Sequence, residues 1–292
     1  MNYAITHRTT YEYAALVTAS FHAARFEPLT TEGQKCLEFS IHVFPAPAVR
    51  KSRADYFGNL ISFFSIQEMH RKLEVIARSR VSVAQMTVPQ LPTSAPWENV
   101  AARFRDPISP ADVKPYEFCL NSPLLMANPA FADYARASFP AGTPTLVGAR
   151  DLTRRIFRDF KYDSRATTVA TPLDEVWKKR AGVCQDFAHL AIAALRSLGI
   201  PARYVSGYLR TLPPVGKPRM VGADASHAWF AVYCPQHGWM DFDPTNDLLV
   251  GSDHITVAVG RDFSDVSPLS GILTGGGEHE VFVAVDVAPT TD

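Results

Sequence analysis

The chain has 292 residues, of which 47% are hydrophobic and 20% are charged, an ordinary globular composition. Its 29 basic side chains balance its 29 acidic ones, and without a basic run nucleic acid is not an expected partner. No apolar stretch approaches the roughly 18 residues of a membrane span, and the N-terminus lacks the apolar segment of a signal peptide. The sequence therefore predicts a cytoplasmic protein with no membrane partner.

Three segments follow one another along the chain. Residues 1–85 alternate polar and apolar side chains, as β-strands do, and predict a small antiparallel β-sandwich. Residues 86–120 are rich in proline but contain interleaved aromatic residues, which predicts an extended connector packed on the protein. Residues 121–292 change to helical periodicity and then return to strands, which predicts a catalytic core with a C-terminal tail strand.

The clearest helix of the chain begins near Cys184. Its apolar residues recur at three- and four-residue spacing: Phe187, Leu190, Ala191, Ala194, Leu195 and Leu198. The unpaired N–H groups of a helix N-terminus stabilise an anion, so the position of Cys184 favours a reactive thiolate. A buried structural cysteine is the alternative interpretation of this residue alone.

A predicted hairpin downstream supplies a histidine and an acid. If its turn centres on Pro235, His227 lies opposite Asp243, close enough for an imidazole–carboxylate hydrogen bond. The same register places Trp229 opposite Asp241, and the alternate residues of both strands are apolar. A structural histidine and a capping aspartate are the alternatives for the two residues taken singly. Together with Cys184 they have the order and residue types of a nucleophile, base and orienter for acyl transfer.

The remaining candidate ligands are scattered. The four cysteines are expected to be free thiols in a cytoplasmic protein: Cys36, Cys119, Cys184 and Cys234. Neither CxxC nor HExxH occurs. The sequence predicts no metal and no cofactor.

Three ordered motifs resemble those of the transglutaminase-like superfamily, whose fold is papain-like. They are Gly182-Val183-Cys184-Gln185-Asp186-Phe187-Ala188, Ser226-His227-Ala228-Trp229, and Gly238-Trp239 through Asp243-Pro244-Thr245. Residues 1–85 resemble the bacterial transglutaminase N-terminal domain. The resemblance implies an α+β fold, with the Cys184 helix packed on an antiparallel sheet that carries His227 and Asp243, preceded by the small β-sandwich-like domain. It also implies Cys184 as nucleophile, His227 as base and Asp243 as orienter.

The resemblance implies one fold but several functions. Animal cross-linking members have Trp after the nucleophilic cysteine, where this chain has Gln185, and the calcium-binding insertions of those enzymes are not seen. The sequence therefore predicts a cysteine peptidase or amidase that hydrolyses amide bonds of peptides or proteins through a thioester. The alternatives are a protein-glutamine γ-glutamyltransferase with an amine acceptor and a non-catalytic protein-binding module.

Three aromatic residues are expected to bind substrate: Tyr162, Trp229 and Trp239. An ordinary packing role is the alternative for each of them. The sequence leaves open the substrate, the acceptor, any calcium dependence, the role of the N-terminal domain and the oligomeric state.

Overall fold

The computed structural model describes residues 1–85, 90–106, 109–211 and 225–290 of the chain. Residues 86–89 and 107–108 of the predicted connector lie outside the described residues. The fold is α+β and contains two antiparallel sheets, one of seven strands and one of five. Within the described ranges, no helix is long and apolar enough to cross a membrane.

The N-terminal half of the chain builds the larger sheet. Its strands are β1 (Asn2–Ala24), β2 (Gln34–Phe44), β3 (Val49–Ala54), β4 (Leu60–Ile66) and β5 (His70–Val83). Strand β1 pairs with β5, with a register shift between Glu12 and Val17, and its last residues pair with β4. The sheet thus curls along its longest strand and encloses an apolar cluster that includes Val17, Phe64, Leu73 and Val75.

Helices dominate the middle of the chain. They are α1 (Trp97–Arg105), α2 (Pro110–Glu117), α3 (Pro129–Arg136), α4 (Thr145–Asp159), α5 (Leu173–Lys179) and α6 (Cys184–Arg196). The expectation of an extended connector over 86–120 is wrong for α1 and α2. The prolines mark helix starts there: Pro96 precedes α1 and Pro110 is the first residue of α2, a position where the missing N–H costs nothing.

Helix α6 packs on the five-stranded sheet. The strands of this sheet are β8 (Ala202–Leu209), β9 (Ala225–Cys234), β10 (Gly238–Asp243), β11 (Leu248–Leu249) and β12 (His254–Gly260). They are arranged in the order β11–β10–β9–β8–β12. The largest apolar cluster fills the space between them, with Leu190, Ala191 and Leu195 of α6 against Phe230 and Val232 of β9. This packing fixes the start of α6 relative to the hairpin of β9 and β10.

The C-terminal segment returns to the first strand. A short helix, α7 (Phe263–Val266), leads into β13 (Leu269–Gly275) and β14 (His279–Thr290), and both strands pair with β1. The predicted tail strand is therefore two strands, and they extend the N-terminal sheet instead of the sheet that carries β9 and β10. The domain boundaries at residues 85 and 120 stay predictions.

Two side-chain amides join the sheets. Strand β12 lies at an edge of the five-stranded sheet, where no strand of the described residues pairs with its outer backbone groups. Gln34 accepts from the N–H of Thr256 and donates to its carbonyl, at 2.8 Å each, and Asn59 does the same for Val259, also at 2.8 Å. The N-terminal sheet thus satisfies the exposed edge of β12.

Candidate active site

Cys184 is the first residue of α6, and the turn before it is tightly fixed. The Asp186 carboxylate accepts the backbone N–H of Val183 at 2.8 Å and the hydroxyl of Thr167 at 2.6 Å. Gly182 has no room for a Cβ, which would lie 2.5 Å from an Asp186 carboxylate oxygen. The chain therefore approaches the helix closely and presents the thiol at its N-terminus, as the sequence predicts.

His227 and Asp243 meet as expected, although they are not directly opposite each other. His227 Nε2 lies 2.8 Å from Asp243 Oδ2, and both side chains are buried. In the observed register Asp241 pairs with Ala231 and Trp239 pairs with Tyr233, so the predicted pairings of Trp229 with Asp241 and of His227 with Asp243 are wrong.

The hairpin turn explains this error. Strand β9 ends at Cys234 and β10 begins at Gly238, which centres the turn on Gln236 instead of Pro235. The pairing is consequently displaced by two residues. Because side chains alternate with a period of two, a displacement of two leaves every side chain on its predicted face. Asp243 extends past the last pair, Phe230 with Phe242, and reaches His227 diagonally.

Two hydrogen-bond partners of Asp243 were not predicted from the sequence. His254 Nε2 lies 3.1 Å from Asp243 Oδ2, and Asn246 donates its side-chain amide to the same oxygen at 2.7 Å. The other carboxylate oxygen accepts the N–H groups of Thr245 and Asn246 at 2.9 and 3.2 Å. Asn246 is predictable from the sequence, because it closely follows the third motif and asparagine is favoured in turns such as the one after Pro244. No sequence pattern predicts the contact of His254 with Asp243, because His254 comes from β12, at the opposite side of the sheet from β10.

The ionisation of the pair follows from these contacts. Burial alone lowers the pKa of His227, but the hydrogen bonds and charges of Asp243 and Cys184 outweigh it and raise that pKa to about 10. Burial likewise opposes the charge on Asp243, but the hydrogen bonds from His227, His254 and Asn246 hold its pKa well below the usual range. At neutral pH the arrangement is an imidazolium beside a carboxylate, with Nδ1 as the ring nitrogen left for Cys184.

Within the described residues, the side chains of His227, Asp243 and His254 form a group that could bind a metal ion. One ligand atom each from His227, Asp243 and His254 lies within 4.8 Å of the others, and two imidazoles with a carboxylate suit a divalent metal. Asp243 Oδ2 already accepts hydrogen bonds from both imidazoles and from Asn246. We therefore assign the three residues to a hydrogen-bond network.

The predicted substrate-binding aromatics lie in different places. Tyr162 is 55% exposed, and the short strand β6 (Lys161–Tyr162) pairs with β7 (Ala181–Gly182) immediately before Cys184. Burial, and after it the charge of Cys184, raises the pKa of Tyr162, which agrees with its position beside the thiol. The predicted role of Tyr162 at the substrate stays a prediction.

The two tryptophans take part in internal packing. Trp229 is fully buried, at 0% exposure, so the expectation that it contacts substrate is wrong; it packs beneath the N-terminal segments that contribute Leu29 and Phe57. Trp239 packs edge-on against Phe118 and Tyr233. No described contact joins Trp239 to Cys184, and its predicted role at the substrate stays a prediction.

Comparison with known proteins agrees with this architecture. Residues 3–82 match the bacterial transglutaminase-like N-terminal region, and residues 133–244 match the transglutaminase-like superfamily. An uncharacterized protein of Mycobacterium bovis is 43% identical over 296 residues, which cover 98% of this chain and 92% of that protein. A second one, from Mycobacterium leprae, is 32% identical over 97% of each chain.

Two further matches have more informative names. A protein-glutamine γ-glutamyltransferase of Pseudomonas aeruginosa is 32% identical over 102 residues, which are 32% of this chain and 15% of that protein. A crystal structure from Cytophaga hutchinsonii, provisionally named a cysteine protease, superposes with a TM-score of 0.78 at 24% identity and covers all of this chain and 92% of the other. At that identity the superposition shows the fold. The chain belongs to the transglutaminase-like superfamily and carries the bacterial transglutaminase-like N-terminal region.

Proposed function

We propose that the protein is a cysteine-dependent acyl-transfer enzyme that hydrolyses amide bonds of peptides or proteins. One observation carries the proposal: a cysteine at a helix N-terminus faces a buried imidazolium that a carboxylate holds in place. The imidazolium and the helix N-terminus both favour the thiolate, which is the nucleophilic form. Structural cysteines have no need of such a partner.

The reaction has two halves. The Cys184 thiolate adds to the amide carbonyl carbon, and the backbone N–H of Cys184 donates to the oxyanion that forms. His227 gives its Nδ1 proton to the leaving nitrogen, the C–N bond breaks and a thioester remains on Cys184. His227 then removes a proton from water, whose oxygen adds to the thioester carbon. The C–S bond breaks, releasing a carboxylic acid and restoring the thiolate.

Asp243 acts through His227 during both halves. Its Oδ2 holds Nε2, which leaves Nδ1 directed at the thiol and at the leaving group. Its charge stabilises the imidazolium that must persist while the thiolate attacks. Five hydrogen bonds to the two carboxylate oxygens keep Asp243 ionised and oriented. Tyr162 lines the site and contacts the substrate beside the thiol.

The second candidate function uses a primary amine in place of water. The match to the Pseudomonas γ-glutamyltransferase supports it, and it needs no change in the first half of the reaction. Water remains our choice because Gln185 replaces the tryptophan that follows the nucleophile in cross-linking members. The third interpretation, a non-catalytic binding module, is disfavoured because all three proposed reacting residues are present and buried or half-buried together.

Mass analysis of a glutamine-containing peptide library separates the three functions. We expect the masses of peptide-bond cleavage products or of peptides whose glutamine has become glutamate, unchanged by added primary amine and abolished in Cys184→Ala. Cys36→Ala is the matched control, because Cys36 lies on β2, remote from α6. Amine incorporation that outpaces hydrolysis would establish a transglutaminase. No change of mass in any peptide, together with an unreactive Cys184, would leave a binding module.

A further inference from the structure

A cavity of about 340 Å³ opens beside the first turn of α6. Gln185, Asp186 and His189 of that helix form its floor, and its walls are residues 123–124, 126–128 and 169–174. Burial lowers the pKa of His189 to about 4, so this floor residue is uncharged at neutral pH. The cavity therefore begins at the residue that follows Cys184.

The rim of this cavity combines exposed apolar side chains with polar ones, among them Asn128 and Asp174. Leu124, Met126 and Val169 line it and are 40%, 63% and 64% exposed. Large apolar side chains that gather around a concave site indicate a surface that is covered when a partner binds. The buried Phe131 and the half-buried Leu173 add further apolar lining.

Hydrogen bonds hold the walls in place without a ligand. The N–H of Leu124 donates to Asp262 at 2.9 Å, and the Gln185 amide donates to the carbonyl of Val169 at 3.4 Å. Asp186, through Thr167, fixes the segment that runs from Tyr162 to Val169. The cavity is thus preformed, and one continuous segment joins it to the aromatic residue beside the thiol.

We propose that this cavity binds an apolar side chain of the peptide or protein whose amide Cys184 attacks. The proposal rests on the proposed function and names its substrate class: peptides with a leucine-like or phenylalanine-like residue near the reacting amide. The volume admits one such side chain, and Gln185 of the lining is the sequence neighbour of Cys184.

Binding to Cys184→Ala, measured by calorimetry, tests the cavity independently of turnover. We expect peptides with Leu or Phe beside a glutamine to bind at least tenfold more tightly than matched Gly or Asp peptides. Adding Val169→Asp should remove this preference, whereas Ile272→Asp, on an equally exposed apolar residue of β13, should leave it intact. Equal binding of all peptides, no binding of any, or loss of the preference with Ile272→Asp would overturn the proposal. Failure of the hydrolysis assay alone would count against the function and leave the cavity standing.

A second inference concerns His254. The N–H of Gly251 donates to its Nδ1 at 3.5 Å, so Nε2 carries the proton and donates to Asp243 Oδ2. The Trp229 ring packs edge-on against the imidazole at 5.2 Å between centroids. The titratable groups that face it are Asp243, Asp241 and His227, and Cys184 lies beyond His227.

We infer that His254 is a positioning residue that keeps Asp243 ionised and directed at His227. It acts through Asp243 and does not touch the substrate. Without its donated hydrogen bond, the carboxylate becomes easier to protonate and holds the imidazolium less strongly. The ion pair between Cys184 and His227 then forms over a narrower range of pH.

The pH dependence of Cys184 alkylation by iodoacetamide reports this effect without a substrate. We expect His254→Leu to slow alkylation about tenfold near pH 6 and to move the half-maximal rate upward by about one pH unit. His254→Gln, which retains a donor, should restore most of the wild-type profile. An unchanged profile in His254→Leu would refute the inference. Equal losses in both variants, in parallel with lowered melting temperatures, would indicate a structural residue only.

Discussion

Asp243→Asn is the most informative single change, because its effect can be worked out from the His227 imidazolium. The pKa of His227 rises from 6.5 to about 10, and at roughly 1.4 kcal/mol per pH unit this is a stabilisation of about 5 kcal/mol. His227 is buried, so solvent screening reduces this value little. The lowered pKa of Asp243 reflects the same hydrogen bond with His227, so its contribution is not added to this free energy. Asp243 and Cys184 both contribute to this stabilisation, and the hydrogen bond with Asp243 is the larger of the two hydrogen-bond contributions.

The sign of the pH dependence follows from the raised pKa. The stabilisation is fully present below pH 6.5, where His227 is protonated in both the folded and unfolded states, and is lost as pH rises toward 10. Urea unfolding of the wild type between pH 6.5 and 9.5, followed by tryptophan fluorescence, should therefore show a falling free energy of unfolding. Asp243→Asn should be less stable at pH 6.5 and should lose most of this slope.

The control is Asp133→Asn, which removes an exposed carboxylate that pairs with Arg136 on α3. Exposed pairs contribute about 0–1 kcal/mol, so this variant should follow the wild type at every pH. The hydrolysis rate of Asp243→Asn should fall about 10³- to 10⁴-fold, because the amide fixes the wrong imidazole tautomer. A variant that keeps the wild-type slope and loses stability equally at all pH values would refute the assigned charge interaction.

Three further outcomes are expected. Peptide mapping after brief iodoacetamide treatment should find Cys184 labelled first, because burial raises the pKa of Cys36 to about 11 and of Cys119 to about 12; equal labelling would contradict this. Gly207→Ala should destabilise the protein by about 1–3 kcal/mol in thermal melts, since a Cβ would collide with the Ile255 carbonyl and the Trp229 indole. Gly251→Ala, where a Cβ meets open space, should melt with the wild type. Gln34→Leu should cost about 1–3 kcal/mol by removing the acceptor of the Thr256 backbone N–H, measured by the same melts, and an unchanged melting temperature would contradict the edge-sealing role.

Local patterns in the sequence predicted the elements that carry the reacting side chains. The apolar spacing of α6 and the alternation along β9 and β10 depend on neighbours within a few residues, and both were interpreted correctly. The hairpin register was wrong by two residues because it depended on an assumed turn centre. The faces survived the error because alternation has a period of two. The proximity of His227 and Asp243 was thus predicted on the correct face of the sheet, but from an incorrect cross-strand pairing.

The remaining features depend on contacts between distant residues. Pairing of β14 with β1 joins Asn2 to Thr290, and no local signal marks such a partner. The helices α1 and α2 were missed because proline content was interpreted as a signal of extension, although proline is tolerated at a helix start. The contact of His254 with Asp243 was not predicted because it also joins separate parts of the fold: β8 and β9 lie between the strands of these two residues.

These distant contacts explain why the N-terminal sheet belongs to the architecture of the site. The position of His254 depends on β12, and β12 is an edge strand whose outer backbone groups are paired by Gln34 and Asn59. Strand β14 returns to β1, and its Val285 and Val287 join Tyr3 and Ile5 against Ile255 of β12 in one apolar cluster. Removing the N-terminal sheet would expose that cluster and leave the edge of β12 unpaired. The hydrogen bond from His254 to Asp243 therefore requires both halves of the chain, whichever acceptor the thioester uses.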